Sequence, residues 1–298
     1  MIFTRRRPDF LHPPMRLRLF PLLLFVLVTA MPLAARAARL EAPLRVGLTP
    51  VFLDDHVNFL RAWKRYLEEH IGQPVEFVQR KSYREINELL LRDEIDFAWV
   101  CGFPYVQHWH TFRLVAVPVF QGKPLYRSYL IVPASDHVTR GWRDLRGKVF
   151  AFSDPDSNSG YLYPQYHMRQ LGIVPPQFFR AFFFAWGHRN VVEAVAAGLA
   201  QAGAVDGYVW ETLAKQDPGL TKRTRVVARS PLFAFPPIVA RNALPRAAVE
   251  KFQRTLVHMS DDPQGRRLLR ELNLDGFAVE PPALFDSIHQ MMLAVPSR

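Results

Sequence analysis

Two successive runs in which a short apolar strand segment alternates with an amphipathic helix confine this chain to few folds. Strands separated by helices lie side by side in a mostly parallel sheet. In the first run, Leu44 to Thr49 reads as a buried strand, and Phe59, Trp63, Tyr66 and Leu67 share one face of a helix that stops at Gly72. Val75 to Gln79 is the next strand. Ser82 with Glu85 forms a capping-box start for a helix carrying Ile86, Leu89 and Leu90, and Phe97 to Val100 closes the series. A second run follows Asp136, with strands expected at Val149 to Phe152, Phe178 to Ala185 and Ala204 to Tyr208, and helices at Gly160 to Leu171 and Arg189 to Ala200. Between the runs lies Tyr126 to Val132, extended and apolar, and after the second comes Arg225 to Ala240, extended and broken by three prolines. These read as two crossings between two lobes, and the tail from Pro245 onward reads as helical. The expected architecture is therefore α/β, a two-lobed clamshell with each lobe a mostly parallel sheet flanked by helices and two hinge crossings.

The region before the first strand has the layout of an export signal. Five arginines between Arg5 and Arg18 precede an uncharged apolar run from Leu19 to Leu33, and Ala35 and Ala37 satisfy the small-residue cleavage rule. The run is too short for a spanning helix. The expected division is a leader over 1–37, a first lobe over 38–130, a second lobe over 131–232, and a return to the first lobe with C-terminal helices over 233–298. Residues 1 to 37 hold six of the arginines and one of the acids, so the net charge of +11 falls to +6 without them. The remaining bases are scattered among acids, which together with export argues against nucleic acid as a partner and leaves a general attraction for anions. Cys101 is the single cysteine, so no internal disulfide forms, and a small buried hydrophobe is the expected role.

Three segments of the second lobe gather oxyanion chemistry. Ser153-Asp154-Pro155-Asp156-Ser157-Asn158-Ser159-Gly160-Tyr161 is a loop of hydroxyl and amide donors leading into a helix, whose free N–H groups and dipole favour an anion. Each charge-assisted hydrogen bond contributes about 1.5 to 3 kcal/mol, so three or four reach micromolar binding. Ser157 and Ser159 as plain helix caps are the alternative. Gly187-His188-Arg189-Asn190 puts an imidazole donor at another helix start, and Gln201 to Tyr208 ends in Asp206. An ionised Asp206 accepts only, so it rewards a ligand that carries a proton and repels a fully ionised one. In the first lobe, Asp96 to Tyr105 offers a tyrosine hydroxyl, and Thr49-Pro50-Val51-Phe52 sits at the carboxyl end of a parallel strand, where ligands of such sheets bind.

Together these segments resemble the phosphonate and phosphite branch of periplasmic solute-binding proteins, with the likeness running through nearly all of the mature chain. Trp142 to Lys148 and Ala234 to Val239 fit it as well, as a structural turn and as the return crossing. The resemblance implies a type II periplasmic-binding fold, a phosphate, phosphite or phosphonate ligand, no cofactor and no metal. It also implies a periplasmic monomer working with an ABC permease, or alternatively reporting to a membrane sensor. The ligand residues implied are Ser157, Asn158, Ser159, Gly160, His188, Asp206 and Tyr105, with Thr49 and Phe52 as minor contacts. Two positions depart from the pattern: Asn158 stands where the family usually has threonine, and Cys101 replaces a small or hydroxylated residue. The loop after the first strand lacks the tyrosine suited to an aminoalkyl phosphonate. Phe182, Phe183, Phe184, Trp186 and Trp210 could narrow the pocket, although the phenylalanines read first as buried sheet core. Both features favour a small inorganic oxyanion or an apolar phosphonate.

Catalysis is the remaining class to weigh, since Ser157, His188 and Asp206 are the residue types of a hydrolase. No G-x-S-x-G elbow, H-E-x-x-H pair or glycine-rich phosphate cradle accompanies them. Binding is the expected role.

Overall fold

The computed structural model describes residues 42–50 and 57–295; the expected leader and Phe52 lie outside them. The chain opens with β1 (Leu44–Leu48), α1 (Val57–Ile71), β2 (Val75–Gln79), α2 (Tyr83–Leu91), β3 (Phe97–Trp99), α3 (Gly102–Gln107) and β4 (Phe112–Val119). It continues through β5 (Leu125–Tyr126), β6 (Ser128–Pro133), β7 (Val149–Phe152), α4 (Tyr163–Gln170), α5 (Pro175–Phe178) and β8 (Ala181–Phe184). Next come α6 (His188–Ala196), β9 (Ala202–Asp206), α7 (Gly207–Gln216), α8 (Pro218–Thr221) and β10 (Thr224–Arg229). The last part holds β11 (Phe233–Ala234), β12 (Ile238–Arg241), α9 (Arg246–Val257), α10 (Pro263–Glu271), β13 (Gly276–Ala278) and α11 (Asp286–Ala294).

Two sheets carry the molecule. One has the order β13-β4-β12-β3-β1-β2 and the other β10-β6-β9-β7-β8. Each has a parallel heart, β2-β1-β3 in the first and β8-β7-β9 in the second. The strands that enter after a crossing run the other way: β12 lies antiparallel between β3 and β4, and β6 lies antiparallel to β9. The sheets are therefore mixed, because a chain that comes back across the hinge meets them from the opposite end. The two crossings touch through β5 and β11, which pair antiparallel at Tyr126 with Phe233 and Leu125 with Ala234. Since β12 sits inside the first sheet, that sheet is complete only after the chain has returned from the second.

Local rules account for the helices that position the site. α1 buries Phe59, Trp63, Tyr66, Leu67 and Ile71 along one stripe. α2 starts with the full capping box, the Ser82 side chain accepting from the Glu85 amide and the Glu85 side chain receiving the Ser82 amide.

Three expectations shift. The strand foreseen at Phe178 to Ala185 is shorter, because Pro175 and Pro176 open a helical turn first. The strand foreseen at Ala204 to Tyr208 ends at Asp206, whose side chain caps α7. The crossing segments become the strands β6 and β10, with β6 already paired in the second sheet at Ser128. β4 and β13 were not anticipated; β4 carries Pro118 and arginine inside its run, which blurs its pattern.

Candidate functional site

In the loop after β7, Ser153, Asp154, Ser157, Asn158 and Ser159 are all at or near zero exposure, while Asp156 between them is half-buried. The loop backbone does not enter a plain α-helix. Asn158 to Leu162 makes a π-helical turn, the Leu162 amide donating to the Ser157 carbonyl at 2.9 Å, before α4 takes over at Tyr163. Such wide turns gather at functional sites. Pro164 has no N–H to give to the Gly160 carbonyl, which receives the Ser153 amide instead at 3.4 Å, folding the loop back on itself. Only glycine fits at position 160, since a Cβ there would lie 1.8 Å from the Ser153 hydroxyl. Ser157 does cap this turn, its hydroxyl accepting from the Gly160 amide at 2.9 Å. The capping role weighed as the alternative is therefore present at Ser157.

Three buried polar atoms on this short stretch have no hydrogen-bond partner: Ser153 Oγ, Asn158 Oδ1 and Ser159 Oγ, the last lying close to the Tyr126 phenol. Native proteins rarely leave buried polar atoms unpaired, and a cluster of them points to an external partner. Trp63 Nε1 and Asn87 Oδ1 are the two others among the described residues.

His188 and Asp206 close round the loop. The Ser157 hydroxyl lies 3.5 Å from His188 Nε2, and His188 Nδ1 accepts the Asp206 amide at 3.1 Å. An accepting Nδ1 carries no proton, so the neutral ring holds it on Nε2 and presents a donor toward the loop. Burial pushes the His188 imidazole down to about 3, which keeps it neutral at physiological pH. The ring meets the backbone of Asp206 rather than its carboxylate, and its protonated Nε2 faces Ser157. This is the reverse of the relay a serine nucleophile needs. Asp206 Oδ1 accepts from the Tyr208 and Val209 amides at 2.8 and 3.3 Å, capping α7. Burial raises its carboxyl to about 8 against the pull of those two amides. Desolvation thus outweighs the cap and favours the protonated, donating form of Asp206, where the sequence alone suggests an ionised group that only accepts.

From the first lobe, Cys101 caps α3 without a side-chain bond to its own helix and instead accepts the Asn158 amide at 3.1 Å. Burial lifts its thiol to about 12, so it behaves as the inert buried residue expected. Asp154 Oδ2 accepts the Tyr83 amide at 3.2 Å, joining the second-lobe loop to the start of α2. Thr49 is buried but spends its hydroxyl on the Trp99 carbonyl at 3.0 Å. Tyr105 is buried with its ring edge-on to Phe285 at 4.6 Å, and burial alone raises its phenol.

Two tyrosines that the sequence reading passed over are drawn in. Asn158 Nδ2 donates to the Tyr126 hydroxyl at 3.0 Å. Burial first, and then the nearness of Cys101 and Asp206, raises the phenols of both Tyr126 and Tyr83 well above their usual value. Tyr126 could have been found by its place at the start of a crossing, where the chain passes between the lobes. Tyr83 has only its place beside the Ser82 cap as a signal.

A family model described as the phosphonate periplasmic substrate-binding protein of ABC transporters matches residues 46–280. The chain belongs to this family. Among the family's relatives, the phosphate-import protein PhnD of Mycolicibacterium smegmatis is 29% identical over 201 residues, covering 63% of this chain and 63% of that protein. The chain thus spans somewhat less than two thirds of that relative. The phosphonates-binding periplasmic protein of Escherichia coli is 24% identical over 269 residues, 87% of this chain and 78% of the other. The solved structure of PhnD1 from Prochlorococcus marinus in complex with methylphosphonate superposes with a TM-score of 0.77 at 19% identity, over 84% of this chain and 97% of that one. That likeness shows the fold, the two-lobed type II periplasmic-binding architecture.

In this periplasmic substrate-binding family member the site is built from neutral donors. Among the described residues, no lysine or arginine is buried and no group of three His, Cys, Asp or Glu side chains is arranged to hold a metal ion. No described helix is long and apolar enough to cross a membrane. An anion held here would be stabilised by hydroxyls, an imidazole N–H, a carboxylic acid and the amides of helix starts, which act strongly where water is excluded.

Proposed function

We propose that this protein captures a phosphorus oxyanion, phosphate, phosphite or a phosphonate, between its lobes and delivers it to the permease of an ABC transporter. The observation that carries the reading is the cluster of unpartnered buried atoms at Ser153, Asn158 and Ser159, beside the proton-bearing Nε2 of His188. The relatives named for phosphate and phosphonate support the same ligand class. Ser157, Ser159 and His188 Nε2 donate to the ligand oxygens, and the peptide groups around Gly160 let the backbone come close. Asp206, neutral at physiological pH, donates its proton. With Nδ2 committed to Tyr126, Asn158 Oδ1 is the acceptor, and a ligand P–O–H group would satisfy it. The proton of the ligand is then read by Asn158 rather than by Asp206. Tyr105, Thr49 and Phe52 belong to the first-lobe wall of this reading.

Residues 1 to 37 serve as a cleaved leader, and the mature monomer works in the periplasm as a carrier without catalysis. The lobes divide near 130 and 232, where the two crossings run. Isothermal calorimetry against phosphate, phosphite, methylphosphonate, aminoethylphosphonate and sulfate tests the proposal. The expected result is micromolar or tighter binding of at least one phosphorus oxyanion, with sulfate at least about tenfold weaker. Heat from sulfate alone, or from none of the five, would sink it.

A further inference from the structure

Trp186 stands in a backbone conformation that tryptophan rarely adopts, and it does so on the rim of the candidate site. Its φ is +61°, in the left-handed region, and the other described non-glycine residues with positive φ, Asp93, Gln121 and Asn273, are polar. A bulky aromatic there is an outlier that persists only where its surroundings force it, and such strain gathers at functional sites. The surroundings here do force it. The Ala185 amide donates to the Phe152 carbonyl at 2.9 Å, and the Trp186 amide donates to the Ser153 carbonyl at 2.7 Å. The Asn190 amide group donates to the Ala185 carbonyl at 2.8 Å. Yet the arrangement covers only about half of the residue, which remains 49% exposed. The fold therefore holds the ring outward at a cost in backbone strain.

The position of that ring is informative. Trp186 hydrogen-bonds to Ser153, whose hydroxyl is one of the unpartnered atoms, and it precedes His188 by two residues. A Cβ at Gly187, the residue between, would come within 3.6 Å of the Pro50 carbonyl oxygen, so this turn faces the first lobe. The indole lies 6.0 Å from Phe184, and Phe184 lies 5.5 Å from Tyr161, which follows Gly160 in the loop. A short aromatic wall thus starts beside the oxyanion donors and ends at solvent. The expectation that these phenylalanines fill the sheet core fails at Phe182, whereas Phe183 and Phe184 are partly buried and pack against the core. β8 is the edge strand of its sheet, and Phe182 is 42% exposed.

The geometry points to Trp186 as a specificity-determining residue that packs against the apolar substituent of an organophosphonate whose head group occupies the Ser153 to Ser159 loop. This rests on the oxyanion reading above. An apolar group stacked on the indole favours the substituted ligand over phosphite or phosphate, which have nothing to place there.

Calorimetry with phenylphosphonate and phosphite on wild type, Trp186→Gly, Trp186→Ala and Trp186→Phe tests the assignment, with a melting temperature for each. The ratio of phenylphosphonate to phosphite affinity should fall about tenfold, equivalent to ~1.4 kcal/mol, in the glycine and alanine variants and survive in the phenylalanine variant. Trp186→Gly should also melt at or above the wild-type temperature, because glycine adopts a positive φ without strain. An unchanged ratio in the glycine and alanine variants, with phosphite still bound, would overturn the assignment and leave the oxyanion reading intact. A melting temperature lowered by many degrees in Trp186→Gly would make the indole a packing element, which also overturns it. Failure of wild type to bind either ligand would overturn the assignment, and would remove the oxyanion reading as well only if phosphate and the alkylphosphonates also gave no heat.

Discussion

Asp206 and His188 illustrate how burial outweighs local bonding at single side chains. Both are 2% exposed, and both are held neutral: His188 near 3, Asp206 near 8. Their effects on stability run in opposite directions. Unfolded His188 takes a proton below its ordinary value while the folded ring does not, so stability falls on acidification from about 6.5 toward 3. Folded Asp206 keeps a proton that the unfolded chain gives up, so its share of stability is full below about 3.8 and is lost as pH rises to about 8. For the ligand, the neutral acid matters directly. Oxyanion affinity should fall as pH rises through about 8, where Asp206 ionises and turns from donor to repelling charge. Asp206→Asn should remove that inflection, and a calorimetric series from pH 6 to pH 9 on both proteins checks it. The residue types at the site were legible as hydrogen-bonding chemistry. Their protonation was not, because it depends on how much water the neighbouring elements exclude.

At the scale of elements, α7 ties the site to the far end of the chain. Its N-terminus is capped by Asp206, while along its length the Tyr208 hydroxyl donates to the Leu272 carbonyl and Thr212 Oγ1 accepts from Asn273 Nδ2 at 3.0 Å. Lys215 Nζ also reaches Asn273 Oδ1 at 2.5 Å. Tyr208 and Leu272 are both nearly inaccessible to water, so Tyr208→Phe would strand a buried carbonyl. The expected cost is about 1 to 3 kcal/mol of stability, measured by urea denaturation, with oxyanion affinity reduced less than by changes in the loop itself. A loss below a few tenths of a kcal/mol would show that the hydroxyl carries nothing. Helices with strong starts, such as α2 behind Ser82 and Glu85, were readable from spacing. The π-helical turn at Asn158 was not, since it arises from the meeting of Pro164, Gly160 and Ser153 rather than from any periodic pattern.

Across the whole molecule, two bonds join the lobes at the polar loop, Asp154 to the Tyr83 amide and Cys101 to the Asn158 amide, besides those that α7 makes to Leu272 and Asn273. Both loop bonds involve the segment that the oxyanion reading fills, so on that reading ligand binding would couple to lobe contact there. Small-angle scattering should therefore record a smaller radius of gyration when phosphite is added, and Asp154→Ala should weaken that compaction. An unchanged radius for wild type at saturating phosphite would exclude closure as the response. Asp154 adds a pH element to this contact, because burial first, opposed by the Asp156 and Tyr83 amides, brings its carboxyl to about 6.

The alternation of β1 to β3 and of β7 to β9 with their helices, and the polar loop before α4, can be read along the chain, because periodicity, caps and turn chemistry act within a few residues of one another. The placement of β12 inside the first sheet, the exposure of Phe182 on β8, the closeness of Tyr83 and Tyr126 to the polar loop and the upward shift of the Asp206 carboxyl cannot be read that way. Each depends on which distant segments come to lie alongside and how much solvent they displace.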